Sequence, residues 1–90
     1  MAKYKVEFAD TFEEAFEKLD GWVQNQILKW IQKNLVGVDF PTSPGKVLKG
    51  KYKDYVRFRG GNYRIISTVD DNNFIITNIL VGHRSIVYKI

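Results

Sequence analysis

Cysteine is absent from this 90-residue chain, histidine occurs once and proline twice. Without thiols there is no disulfide frame and no thiolate metal site, and a lone imidazole argues against a zinc or iron centre. Long hydrophobic runs are also missing. None exceeds three residues, as at Ile79 to Val81, against the roughly 20 that a membrane-spanning helix needs. The N-terminal stretch holds no apolar run of signal-peptide type. The expectation is a soluble cytoplasmic protein with no membrane partner, no metal and no cofactor. It should fold as a single domain over residues 1–90, because so short a chain buries surface for one core only.

What is present is a lopsided charge. Residues 1–45 carry five Lys and seven acids, a net −2, whereas residues 46–90 carry nine Lys or Arg and three acids, a net +6. All four Arg lie in the second half, and seven of the fourteen basic residues fall between Lys46 and Arg64 against one acid, Asp54. A one-sided cationic field attracts polyanions such as nucleic acid, or an acidic protein, in a salt-sensitive way. Scattered Lys usually do no more than solubilise a surface. Arg is the cation suited to planar, bidentate contact with phosphate.

The apolar pattern predicts an α+β fold in the order β-α-α-β-β-β. Tyr4 to Phe8 alternates as a strand. Thr11-Phe12-Glu13-Glu14 has the form of a capping box, with Phe12, Ala15, Phe16 and Leu19 on one face of the helix that follows. Asp20-Gly21 breaks that helix. Val23, Ile27, Trp30, Ile31 and Leu35 then mark the stripe of a longer one, which Gly37 can end. Asp39 to Gly45, with Pro41 and Pro44, reads as a loop. Asp54 to Arg59, Tyr63 to Val69 and Phe74 to Val81 read as three strands, joined at Gly60-Gly61-Asn62 and at Asp70 to Asn73. Short connections favour a helical hairpin packed on one face of a mainly antiparallel four-stranded sheet.

Strand periodicity assigns the faces. Val56 and Phe58 point to the helices, while Tyr55, Arg57 and Arg59 point away. Arg64 shares a side with Ile66 and Thr68, so it can join Arg57 and Arg59 across the hairpin on an open, cationic face. The strand from Phe74 is apolar on both sides, and its facing stays open. Trp22 and Trp30 are expected to pack, with one of them a candidate for exposure to a partner. Tyr63 is expected to pack rather than react.

Gly45-Lys46-Val47-Leu48-Lys49-Gly50, Tyr55-Val56-Arg57-Phe58-Arg59, Gly61-Asn62-Tyr63-Arg64-Ile65-Ile66, Val81-Gly82-His83-Arg84 and Val87-Tyr88-Lys89, in this order and spacing, resemble the RelE/ParE toxin superfamily of toxin–antitoxin modules. The resemblance spans nearly the whole chain, although no single piece is specific. It implies one of two activities. RelE-like members are ribosome-dependent endoribonucleases that cut messenger RNA, and ParE-like members poison DNA gyrase; a degenerate, non-enzymatic binder is the third reading. The ribonuclease branch keeps basic residues on the sheet and a Tyr or His near the end, positions held here by Arg57, Arg64, Arg84 and Tyr88, with His83 beside them, so this branch is preferred. Tyr55 stands where some active members carry a Lys, and there is no counterpart of the catalytic Glu that others use. The resemblance also implies a cognate antitoxin, which should be acidic and partly disordered, and a toxin–antitoxin hetero-oligomer.

Metal-free RNA cleavage by 2′-OH attack must remove a proton, stabilise a dianionic phosphorane and assist departure of the 5′-oxygen. Arg57 and Arg64 suit the second task and Arg84 the scissile phosphate or the leaving oxygen. Tyr88, near cations, suits proton acceptance, with His83 sharing or relaying the proton. The plainer alternatives are that His83 caps a turn and that Tyr88 packs with Ile86 and Ile90. Lys46, Lys49, Lys51, Lys53 and Arg59 are expected to grip RNA or ribosome backbone, since phosphate contacts position rather than specify.

Overall fold

The structure, a computed structural model, describes residues 3–39 and 45–87. The elements are β1 (Lys5–Phe8), α1 (Asp10–Glu17), α2 (Gly21–Asn34), β2 (Gly45–Val47), a 3-10 turn (Gly50–Tyr52), β3 (Tyr55–Gly60), β4 (Tyr63–Asp70), β5 (Ile75–His83) and α3 (Arg84–Val87). The α+β architecture and the helical hairpin agree with expectation. The sheet, however, has five strands in the order β1-β5-β4-β3-β2. The added strand is β2, three residues at the start of the lysine-rich block, paired antiparallel to β3. β1 pairs parallel with β5 and the remaining pairs are antiparallel. No helix among the described residues is long and apolar enough to cross a membrane.

The core lies between the helices and one sheet face. Val23, Ile27 and Ile31, spaced four apart along α2, are buried together with Leu35 just past its end. They meet Val56 and Phe58 of β3, Ile65 of β4, and Ile76 and Val81 of β5. A stripe at this spacing is what docks a helix, since burial rather than propensity supplies most helix stability in a protein. Gly37, at φ +73°, lets the chain turn after α2 so that its amide donates to Tyr4 O and Val38 O accepts from the Tyr4 amide. Gln24 Nε2 donates to Phe16 O at 2.9 Å, a carbonyl that also accepts the Leu19 amide, and so clamps the helical hairpin.

Three local expectations change. α1 begins at Asp10 with Ala9 as its cap, and the Thr11 hydroxyl donates to Ile79 O of β5 instead of capping the helix. The reason lies in β5. Ile66 pairs with Leu80 and Ser67 with Asn78, leaving Ile79 as an extra residue whose carbonyl has left the ladder. Thr11 takes that carbonyl, and the Ala9 amide takes Asn78 O at 2.9 Å. The strand expected from Phe74 starts at Ile75, because Phe74 sits at φ +57°, outside the extended region.

The turns behave as their residues suggest. Gly61, at φ +60°, follows the last residue of β3, and Gly60 pairs with Tyr63, which is the Gly-first pattern of a type II′ hairpin. At the β4–β5 turn the Asp70 carboxylate accepts the amides of Asn72 and Asn73 and the side-chain amide of Asn73. Those bonds, the Asn73 side chain first, hold the carboxyl below its ordinary range. Tyr4 donates to Asp71 Oδ1 across this turn, and that bond, then burial and the nearby charges, pushes the phenol up.

Candidate functional site

The sheet face away from the helices gathers the cations. Residues opposite each other across a ladder share a face, and strands lie about 4.8 Å apart. Lys46 faces Arg57, Arg57 faces Ile66 and Ile66 faces Leu80, forming one row; Arg59 faces Arg64 and Arg64 faces Gly82, forming the next. β2 and β3 carry no carboxylate and β4 carries one only at its far end, Asp70. Two Arg directly opposite one another repel.

The four cations are not equivalent. Arg59 is exposed and Arg57 half-buried, whereas Arg64 is only 3% exposed. Its Nη1 donates to Gly61 O at 2.8 Å and Tyr63 O at 2.9 Å, so this guanidinium braces the β3–β4 turn from within. Lys51 stands over the Tyr52 ring, 5.1 Å from its centroid, while Lys49 and Lys53 flank the same 3-10 turn.

His83 stands on the other side of the sheet. It pairs with Tyr63, which alternates with Arg64, and the two rings meet edge to face at 5.7 Å. Its Nδ1 accepts the Ser85 amide at 3.1 Å and lies 2.8 Å from Ser85 Oγ. With Nδ1 engaged as acceptor, the neutral ring carries its proton on Nε2. His83 thus accepts an amide in the first turn of α3. Arg84, exposed at the start of α3, ties to the β3–β4 turn through its own amide to Asn62 O at 2.8 Å. Tyr88, and the loop positions Pro41 and Pro44, lie outside the described residues. The structure thus brings together Lys46, Arg57, Arg59 and Arg64, sets Arg84 by the adjoining turn, and puts His83 across the sheet from them.

Two cavities were not anticipated. A cavity of about 180 Å³ opens on the cationic face, lined by Tyr52, Tyr55, Ile66, Ile79 and Leu80. The alternation that exposed Arg57 and Arg59 also placed Tyr55 there, but the bulge that turns Ile79 and Leu80 into consecutive lining residues leaves no sequence signal. On the helix side, Trp22 is 63% exposed and lines a cavity of about 300 Å³ with Trp30, Gly60 and Tyr63. Trp30 itself packs on Phe58, with ring centroids 5.9 Å apart.

The model of the ParE toxin of type II toxin–antitoxin systems matches residues 6–88. This chain belongs to the RelE/ParE toxin superfamily. The toxin is 29% identical over 90 residues to an Escherichia coli protein described as RelE-like, covering 98% of this chain and 93% of the relative. Its fold resembles that in the RelBE2 toxin–antitoxin complex of Mycobacterium tuberculosis, with a TM-score of 0.83, 23% identity and coverage of 94% and 95% of the two chains. It also resembles the isolated E. coli RelE toxin, with a TM-score of 0.67, 26% identity and coverage of 96% and 92%.

Proposed function

We propose that this toxin is a metal-independent endoribonuclease that cleaves messenger RNA held by the ribosome. The observation that carries the reading is the acid-poor sheet face on which Lys46, Arg57, Arg59 and Arg64 occupy adjoining register positions. Such a face has what backbone binding and phosphorane stabilisation need: fixed positive charge on rigid strands, not on a loop. In the proposed reaction Tyr88 accepts the 2′-OH proton as the oxygen attacks phosphorus, and the bond to the 5′-oxygen breaks. Arg57 meets the charge that builds on the phosphoryl oxygens. Arg84 neutralises the leaving oxygen from the rim of the turn. Arg64, buried opposite Arg59 on the neighbouring strand, raises the local potential and holds the hairpin in place. His83 acts by capping α3, the element that leads the chain to Tyr88. Lys49, Lys51 and Lys53 extend the backbone grip toward ribosomal RNA.

Partner and compartment follow from the same reading. The toxin would be silenced by an acidic antitoxin, in line with the RelBE complexes that its fold resembles. Exposed Phe8, Leu28 and Val36, which line a groove between β1 and α2, supply the apolar surface for amphipathic segments of that partner. Acting on ribosomes places it in the cytoplasm.

Incubating the toxin with purified ribosomes on a defined messenger tests the proposal. Cuts confined to the decoding site, absent without ribosomes and lost in Tyr88→Phe, are expected. The match to the ParE model favours a second reading, inhibition of DNA gyrase; stalled gyrase cleavage complexes with intact messenger would establish it and refute the first.

A further inference from the structure

We propose that the cavity walled by Tyr52 and Tyr55 is a base-binding pocket, which holds one nucleobase of single-stranded RNA beside the phosphate on Arg57. The inference rests on the ribonuclease reading and adds a recognition element to it. The pocket lies on the cationic face. Tyr55 is two residues before Arg57 on β3, so their side chains leave the same face about 6.7 Å apart. Ile66, which lines the pocket, is the cross-strand partner of Arg57.

The walls are suited to a flat aromatic ring. Tyr52 and Tyr55 stand edge to face with centroids 6.4 Å apart, and Ile66, Ile79 and Leu80 complete an apolar lining. The β5 bulge makes this possible, since an unbroken strand would send Ile79 and Leu80 to opposite faces. About 180 Å³ is well under the ~300 Å³ at which sites for drug-sized ligands begin, which suits a single ring system and not a whole nucleotide. The rim is positive: Lys51 lies over the Tyr52 ring, and Lys46 and Arg57 occupy the adjoining row. An apolar aromatic slot with a cationic rim complements a base attached to a phosphodiester, and this charge selects RNA over an apolar side chain of a protein partner. Stacking on tyrosine faces tolerates any base, so the pocket positions the chain more than it reads sequence.

The test is fluorescence anisotropy with a labelled oligoadenylate and an abasic oligomer of the same length and charge. The parent toxin should prefer the oligomer with bases by about 5- to 150-fold, the range expected for stacking one base. Tyr55→Ala and Tyr52→Ala should each erase most of that preference while leaving the salt dependence of binding unchanged. Tyr55→Phe, which keeps the ring and removes the hydroxyl, should retain it. Circular dichroism checks that the variants are folded, and any loss of preference in Tyr55→Phe equal to that in Tyr55→Ala would overturn stacking. Equal binding of both oligomers by the parent, no detectable RNA binding, or an unchanged preference in both alanine variants would also overturn the proposal. Ribosome-dependent cutting without base preference would refute the pocket alone. Base preference without cutting would refute the ribonuclease reading alone.

Discussion

Gly45→Ala should destabilise the toxin and weaken its cationic face together. Gly45 opens β2 and pairs with Phe58. A Cβ there would lie 2.6 Å from Val56 Cγ1, 2.7 Å from Phe58 Cε1 and 2.9 Å from Phe58 Cδ1. All are shorter than an ordinary van der Waals contact, and both neighbours are core side chains with no room to swing aside. Overpacking of this kind costs about 1–3 kcal/mol. For a domain of this size each kcal/mol lowers Tm by about 4–8 °C, so a fall of roughly 4–24 °C is expected in a thermal melt. Because β2 is an edge strand, part of the clash will be relieved by its moving away from β3. That movement takes Lys46 from its place opposite Arg57, and RNA affinity should fall along with stability. Val56→Ala removes the nearest clashing atom, so the double variant should be less destabilised than the two single effects summed, by at least about 0.5 kcal/mol. Strict additivity, or an unchanged Tm in Gly45→Ala, would refute the claim that an absent side chain seats this edge.

Other consequences follow from single contacts. The Ser67 hydroxyl donates to Asn78 Oδ1 at 2.7 Å with both residues buried, so Ser67→Ala should cost about 1–3 kcal/mol in urea unfolding by stranding the amide oxygen. Arg64→Ala should lower stability as well as activity, because Gly61 O and Tyr63 O both lose their donor; a fully stable variant would contradict the bracing role. Asp70 has a depressed carboxyl in the fold, so its contribution is present above the ordinary carboxylate value of about 3.9 and disappears as pH falls below it. Melting midpoints should therefore drop on acidification through that range, and the drop should be shallower in Asp70→Asn. Replacing Thr11 with Val removes the donor to the freed Ile79 carbonyl, and hydrogen exchange should speed up at the Ala9 amide beside it.

Much of the fold was legible because its signals are local. The four-residue spacing of Val23, Ile27 and Ile31 identified the buried face of α2, and alternation from Tyr55 to Arg59 separated core from cations without knowledge of the strand's partners. Gly61 marked its turn through the φ that it must adopt. What stayed hidden depends on distant contacts. β2 is three residues long and too short to show a period, and it is a strand only because β3 has an edge to offer. Thr11 reads as a helix cap until the β5 bulge frees a carbonyl within its reach. His83 stands one residue from Gly82 and Arg84 in sequence, yet pairing with Tyr63 sends it to the helix side while Gly82 faces Arg64. Arg64 was legible as part of the cationic face, but its burial was not, since that comes from a side chain folding back onto its own turn.

Arg57→Ala gives the most direct test of the central claim, because Arg57 stands in the acid-poor row between Lys46 and Ile66. Primer extension on a ribosome-bound messenger, with the melting curve of each protein recorded alongside, separates lost chemistry from lost fold. A variant that stays folded at the assay temperature but cleaves about 100- to 1,000-fold more slowly is the predicted result, the usual cost of removing one preorganised donor from a developing oxyanion. A variant that is folded and cuts at the parental rate would contradict the assignment of the sheet face as the reactive one.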